Sequence, residues 1–205
     1  MGEGTKVVIG VLALQGDVRE HIDAVRKAGA EAVPVRTREE IERVDGLIIP
    51  GGESTTVGKL LDRFGLMDAV RRMPAACKPI FGTCTGMILL AKEVENSARE
   101  QPRLCLMDVT VRRNAFGRQV DSFEEDIPVQ GIEGGPVRAV FIRAPFVSEV
   151  HEGVEVLAEF QGHPVLVREG DLLAAAFHPE LTDDVRVHRM FIEMVEKAKK
   201  RCHTS

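Results

Sequence analysis

The sequence has no tryptophan and no tyrosine, so its nine phenylalanines are its only large aromatics. Positive charge is also short: 27 basic against 32 acidic residues leave a net charge of −5. A nucleic-acid-binding surface wants a basic face and stacking aromatics, so that class of function is disfavoured. The four cysteines (Cys77, Cys84, Cys105 and Cys202) form no C-x-x-C pair, so neither a zinc site nor a redox dithiol is indicated. An even count alone does not make a disulfide framework in a chain of 205 residues. No apolar window reaches the roughly 18 residues that a membrane span needs. The N-terminus lacks a charged segment followed by a long apolar run and a cleavage site. These absences set the expectation of a soluble, cytosolic chain of one domain, residues 1–205, with no membrane partner.

What is present alternates. Lys6 to Leu14 is a near-continuous Val- and Ile-rich run, as in a strand buried on both faces. Asp17 is placed to cap a helix from Val18 to Ala28, with Ile22 and Val25 inward and Gly29 at its end. Strands follow at Ala32–Val35, Gly46–Ile49 and Ile80–Gly82, with helices at Arg38–Val44, Thr55–Phe64 and Leu66–Met73 between them. This order predicts a parallel sheet with helices on both faces. Beyond Ala91 the pattern turns to strands with little helix: Leu104–Arg112, Gln119–Phe123, Val137–Ile142, Val154–Phe160, His163–Arg168 and Leu172–Phe177. Turn residues such as Gln161-Gly162 and Glu169-Gly170 predict hairpins there. A helix from about Asp184 to Arg201 closes the chain. Its apolar face carries Val187, Met190, Phe191, Met194, Val195 and Ala198.

In an open parallel sheet, ligands bind beyond the carboxyl ends of the strands. Three loops fall there: Gln15-Gly16, Pro50-Gly51-Gly52-Glu53-Ser54, and the turn around Cys84. Gly82 and Gly86 bracket Cys84 in the G-x-nucleophile-x-G spacing of a strand-to-helix elbow. Such a turn exposes the side chain, gathers the following N–H groups and favours a thiolate at the helix start. Free cysteine is also a common core residue, so Cys84 taken alone is either a nucleophile or packing. Gly51-Gly52 allows a close backbone approach or simply a tight turn. A phosphate-binding loop fails on spacing, because Gly52 to Gly58 is one residue too long for G-x-x-x-x-G-K and Leu60 replaces the Ser or Thr. His178-Pro179-Glu180 ends the last apolar run, and residues two apart on a strand share a face. A carboxylate beside an imidazole fixes its tautomer and raises its basicity. The remaining histidines, including His21 and His188, show no equivalent setting, and no pair suggests a metal site.

Together, in this order, Gly82-Thr83-Cys84-Thr85-Gly86, Pro50-Gly51-Gly52 and His178-Pro179-Glu180 resemble the class I (triad) glutamine amidotransferases. Further blocks are similar to the glutaminase subunits of pyridoxal 5′-phosphate synthases. They are Gly10-Val11-Leu12-Ala13-Leu14-Gln15-Gly16, Pro50 to Thr56, Arg113 to Glu124, Phe141 to Pro145 and Phe177 to Thr182. The likeness covers nearly the whole chain. It departs at Thr85, where the family pattern leads one to expect Ala.

The resemblance implies a flavodoxin-like α/β three-layer sandwich with an added antiparallel region. It implies hydrolysis of L-glutamine to glutamate and ammonia, with no cofactor and no metal. Cys84 would be the nucleophile forming a glutamyl thioester, His178 its base and Glu180 the residue orienting His178. Backbone N–H groups around Gly51, Gly52 and Thr85 would hold the oxyanion. Gly52, Glu53, Ser54, Arg113, Ile142 and Arg143 match positions that hold glutamine, and Gln15 one beside the oxyanion loop and partner interface. Without the resemblance, Arg113 and Arg143 read first as surface ion-pair residues. The implied partner is a barrel-shaped synthase subunit that receives the ammonia. The rivals are a glutaminase serving imidazole glycerol phosphate synthesis, a cysteine peptidase on the same scaffold, and a non-enzymatic binding module.

Overall fold

The computed structural model describes residues 6–95, 101–114, 116 and 122–204. The first half of the chain alternates strand and helix. Its elements are β1 (Val8–Leu12), α1 (Val18–Lys27), β2 (Glu31–Val35), α2 (Arg38–Arg43), β3 (Gly46–Ile49), α3 (Ser54–Arg63), α4 (Met67–Arg72), β4 (Ile80–Thr83) and α5 (Thr85–Leu90). The second half is mostly strand: β5 (Ala91–Glu95), β6 (Met107–Arg112), β7 (Ser122–Ile127), β8 (Val137–Ile142), β9 (Phe146–Val150), β10 (Glu155–Phe160), β11 (His163–Glu169) and β12 (Leu172–Ala175). Helix α6 (Arg186–His203) closes it.

Seven strands form one sheet in the order β10-β11-β12-β4-β3-β1-β2. Its centre, from β12 to β2, is parallel, and β10 and β11 extend it antiparallel through two hairpins. The expected mostly parallel sheet with an antiparallel addition is thus the observed one. Strands β3, β4 and β12 are buried along their whole length, which is why they read as unbroken apolar runs. Helices cover both faces. A side chain at Gly46 would strike Val195 and Phe191 of α6, whereas one at Gly82 would strike the start of α5 and Leu90. Gly82 pairs with Ile49, three residues beyond Gly46, so the two glycines look to opposite faces.

Two smaller sheets lie outside this frame, β5-β6-β9 and the β7-β8 hairpin. Strands β5 and β9 are not anticipated from the sequence. Strand β6 begins at Met107 rather than Leu104, and β7 begins at Ser122, the stretch 117–121 lying outside the described residues. A phenylalanine cluster fastens this region to the sheet: Phe123 stacks on Phe141 at 4.7 Å, and Phe141 meets Phe160 and Phe177. The backbone N–H of His178 is bonded to the Val140 carbonyl of β8 at 2.8 Å. The added hairpin therefore fixes the segment following β12. Cys77 and Cys202 form a disulfide, a pairing the sequence reading did not make. It ties the end of α6 to the segment entering β4.

Candidate active site

Strands β1, β3, β4 and β12 all point their carboxyl ends at one crevice, where the strand order reverses between β1 and β3. Cys84 stands between β4 and α5 with φ 49° and ψ −102°, a left-handed conformation costly for any residue with a Cβ. The close packing beneath it explains the bracket. A Cβ on Gly86 would lie 2.4 Å from the Ile49 carbonyl oxygen, and one on Gly82 would meet the Gly86 carbonyl at 2.5 Å. Cys84 is 8% exposed, and its thiol lies 3.8 Å from the Ile142 carbonyl oxygen.

The loop after β3 reaches the same place. A Cβ on Gly51 would sit 2.6 Å from His178 Cε1 and 3.3 Å from Cys84 Cβ, so only glycine lets this backbone lie against both. Gly52 donates its N–H to the Thr85 hydroxyl at 3.3 Å, and that hydroxyl donates to the Gly52 carbonyl. Thr85 is therefore a contact of the loop itself, more than the minor departure its small size suggests. Gln15 Oε1 accepts the Glu53 N–H at 2.8 Å, tying the β1 exit to this loop. Glu53 caps α3: its carboxylate accepts from the N–H groups of Thr55 and Thr56 and from the Thr56 hydroxyl. The Thr56 hydroxyl bond, helped by the two backbone N–H groups, holds this carboxyl down at about 2.

His178 and Glu180 do meet, but not through strand alternation. Strand β12 ends at Ala175, His178 precedes a short 3₁₀ turn (Pro179–Leu181), and that turn folds Glu180 back beneath the ring. Glu180 Oε1 lies 2.7 Å from His178 Nδ1, and both residues are buried. Burial pulls the imidazole down, but hydrogen bonds to Cys84 and Glu180 and their charges outweigh it, holding His178 up at about 10. Burial pushes the Glu180 carboxyl up, partly offset by His178. Asp17 does not cap α1 with its side chain, as expected from sequence; its carboxylate lies 3.6 Å from His178 Nδ1 instead. Asp17, His178 and Glu180 cluster like metal ligands, yet the shared nitrogen is already committed to Glu180.

A cavity of about 470 Å³ opens over Cys84, lined by Gly52, Glu53, Ser54, Arg113, Ile142 and Arg143 together with His178. All six residues expected to hold a ligand thus come together from three separate loops. Arg113 donates to the Ser54 hydroxyl at 2.5 Å. Asn114 and Arg143, like Cys84, line the cavity with positive φ, at 47° and 44°.

A family profile described as the SNO glutamine amidotransferase family matches residues 11–197. The chain belongs to this family. Among curated relatives, the pyridoxal 5′-phosphate synthase subunit PdxT of Parafrankia sp. (strain EAN1pec) is 58% identical, with 91% of this chain and 92% of that one aligned. The protein of the same name from Acidothermus cellulolyticus is also 58% identical, over 91% and 93%. A crystal structure of a glutamine amidotransferase superposes with a TM-score of 0.87 at 53% identity, covering 92% of this chain and 98% of that one. PurLQS from Thermotoga maritima shares the fold alone, with a TM-score of 0.66 at 15% identity and 95% of this chain covered.

For a glutamine amidotransferase, the unexpected part of this site lies behind Glu180. His21 and His188, which carry no local sequence signal, are both fully buried and hydrogen-bonded to each other at 2.9 Å. His21 sits on the inward face of α1, where Ile22 was expected and is only half-buried. Asp17 is the other residue missed. Its helix-start position gave a bland explanation that concealed its approach to His178.

Proposed function

We propose that this chain hydrolyses L-glutamine to L-glutamate and ammonia, and passes the ammonia to the barrel subunit of a pyridoxal 5′-phosphate synthase. The observation that carries the chemistry is His178, bonded to Glu180 and standing beside Cys84 against Gly51 at the floor of the cavity. The names of its relatives support the partner. In this reading residues 1–205 are one glutaminase domain working in the cytoplasm.

The Cys84 thiol gives its proton to His178, and its sulfur attacks the side-chain amide carbonyl. Glu180 keeps the proton-accepting nitrogen turned to the sulfur and stabilises the imidazolium. The tetrahedral oxyanion is held by the Thr85 backbone N–H at the start of α5 and by the Gly51-Gly52 loop. His178 then returns the proton to the departing nitrogen. Ammonia leaves, a glutamyl thioester remains, and water activated by the same imidazole hydrolyses it to glutamate. Arg113 and Arg143 bind the substrate α-carboxylate, Ser54 and Ile142 shape its slot, and Glu53 and Gln15 hold the loop in place. The Gly52 N–H lies on the Thr85 hydroxyl, so the isolated chain turns over slowly until the partner redirects that peptide.

The test is ammonia release from L-glutamine by the purified chain, alone and with the synthase barrel subunit. Weak release that rises with this partner is the expected result. Stimulation instead by the imidazole glycerol phosphate synthase cyclase would reassign the partner, and no release with either would overturn the glutaminase reading.

A further inference from the structure

Glu180 Oε1 is taken by His178, but its other oxygen, Oε2, is buried without a hydrogen-bond partner among the described residues. His21 Nε2 of α1 lies 3.4 Å from it. The same nitrogen lies 3.1 Å from the Thr83 hydroxyl on β4, the residue preceding the nucleophile. On its other side His21 Nδ1 meets His188 Nε2 of α6 at 2.9 Å. His188 Nδ1 is buried with no partner among the described residues. Three buried side chains thus run from the triad into the seam between α1 and α6.

Only one neutral arrangement of protons suits this chain of groups. If His21 carried its proton on Nδ1, its Nε2 lone pair would face the carboxylate. His188 would then hold a buried N–H on Nδ1 with nothing to accept it, which costs more than a buried lone pair. With the proton on Nε2 of both rings, His188 donates to His21, and His21 donates toward Thr83 and Glu180. His188 is left with an unused acceptor, consistent with the orphaned Nδ1. Both rings are uncharged in this arrangement, since burial pulls His21 well below its ordinary range and His188 to about 4.

We propose that His21, held in register by His188 and Thr83, is a positioning residue for the triad, its Nε2–H supplying the donor that Glu180 Oε2 otherwise lacks. A carboxylate held at one oxygen can rotate or take up a proton, whereas one held at both keeps its charge and its aim on His178. The role of the aim in catalysis rests on the glutaminase reading; the bond itself does not. The charged groups facing Glu180 are His178 above it and Asp17 beside them. On its outer side lies a groove lined by Glu20, Asp23, Lys27 and Asp183.

Two polar variants separate the donor from mere packing. His21→Gln keeps an N–H near the Nε2 position, and His21→Asn offers its amide only near Nδ1. In complex with the barrel subunit, His21→Asn lowers kcat for glutamine about ten- to a hundredfold, part of what a positioned base contributes. KM is unchanged, because His21 does not line the cavity. His21→Gln stays within about threefold of wild type, a small change in transition-state terms. The second readout needs no activity: the His178 ring titrates at lower pH in His21→Asn than in wild type or His21→Gln by NMR of the isolated chain, because Glu180 holds its charge less firmly. Equal behaviour of the two variants in kcat and in the titration would overturn the proposal. An inactive wild-type complex would sink the glutaminase reading while the titration still decided the bond.

Discussion

The Thr85 side chain engages both backbone polar groups of Gly52, accepting the N–H at 3.3 Å and donating to the carbonyl. An N–H aimed at that hydroxyl is not aimed at an oxyanion over Cys84. Thr85→Ala frees it and is expected to raise kcat/KM of the partner-free chain several-fold, within the about 10²–10³ that one oxyanion donor is worth. Thr85→Ser keeps the hydroxyl and the low basal rate. A Thr85→Ala chain no faster than wild type, in an ammonia-release assay without partner, would show that the latch does not restrain turnover.

The Cys84–His178 couple is open to direct titration. Because His178 is held up at about 10 against an ordinary 6.5, its bonds contribute stability that is complete below pH 6.5. That contribution fades as pH rises through about 10. Among the influences raising His178, donation from its protonated ring to the Cys84 sulfur leads, so Cys84→Ala is expected to lower the His178 titration midpoint in NMR and to flatten this part of the stability profile. The same variant loses ammonia release by at least about a thousandfold. A His178 midpoint that does not move would sever the proposed thiol–imidazole pairing.

Glu53 is predicted to matter first as a cap. Glu53→Ala leaves the Thr55 and Thr56 N–H groups without their side-chain acceptor and is expected to cost about 1 kcal/mol in a urea titration. Its carboxyl is depressed to about 2 from 4.5, so the contribution is present above pH 4.5 and is lost as pH falls toward 2. Equal urea midpoints for wild type and variant at pH 7 would remove the cap from the account.

The Cys77–Cys202 bridge lies at the amino-terminal end of β4, opposite the site, and closes a separation of 125 residues. Reduction, or Cys202→Ser, is expected to cost about 2–4 kcal/mol of stability. Glutaminase turnover below the unfolding transition should stay within about twofold, since the bridge touches no group that bears on the transition state. A large fall in kcat on reduction, with the fold intact by circular dichroism, would count against that separation.

Much of this protein was legible in the sequence because its signals are local. An unbroken Val/Ile/Leu strand, a glycine bracket and a His-Pro-Glu segment each act over a few residues, and they led to the parallel sheet, Cys84, His178 and Glu180. The family likeness added the positions proposed to hold glutamine. What lay beyond reach depends on residues distant in the chain. Strands β5 and β9 take their identity from pairing with β6 rather than from their own pattern. His178 and Glu180 came together through a 3₁₀ turn anchored by β8, a different route from the one their spacing suggests. His21, Thr83 and His188 stand 62 to 167 positions apart, and a buried histidine looks like any other until its partners surround it. The sequence by itself determined which strands could be buried and which side chains could react. Tertiary structure alone decided which polar groups meet in the interior, because a hydrogen bond there depends on the packing of β4, α1 and α6 and on the exclusion of water.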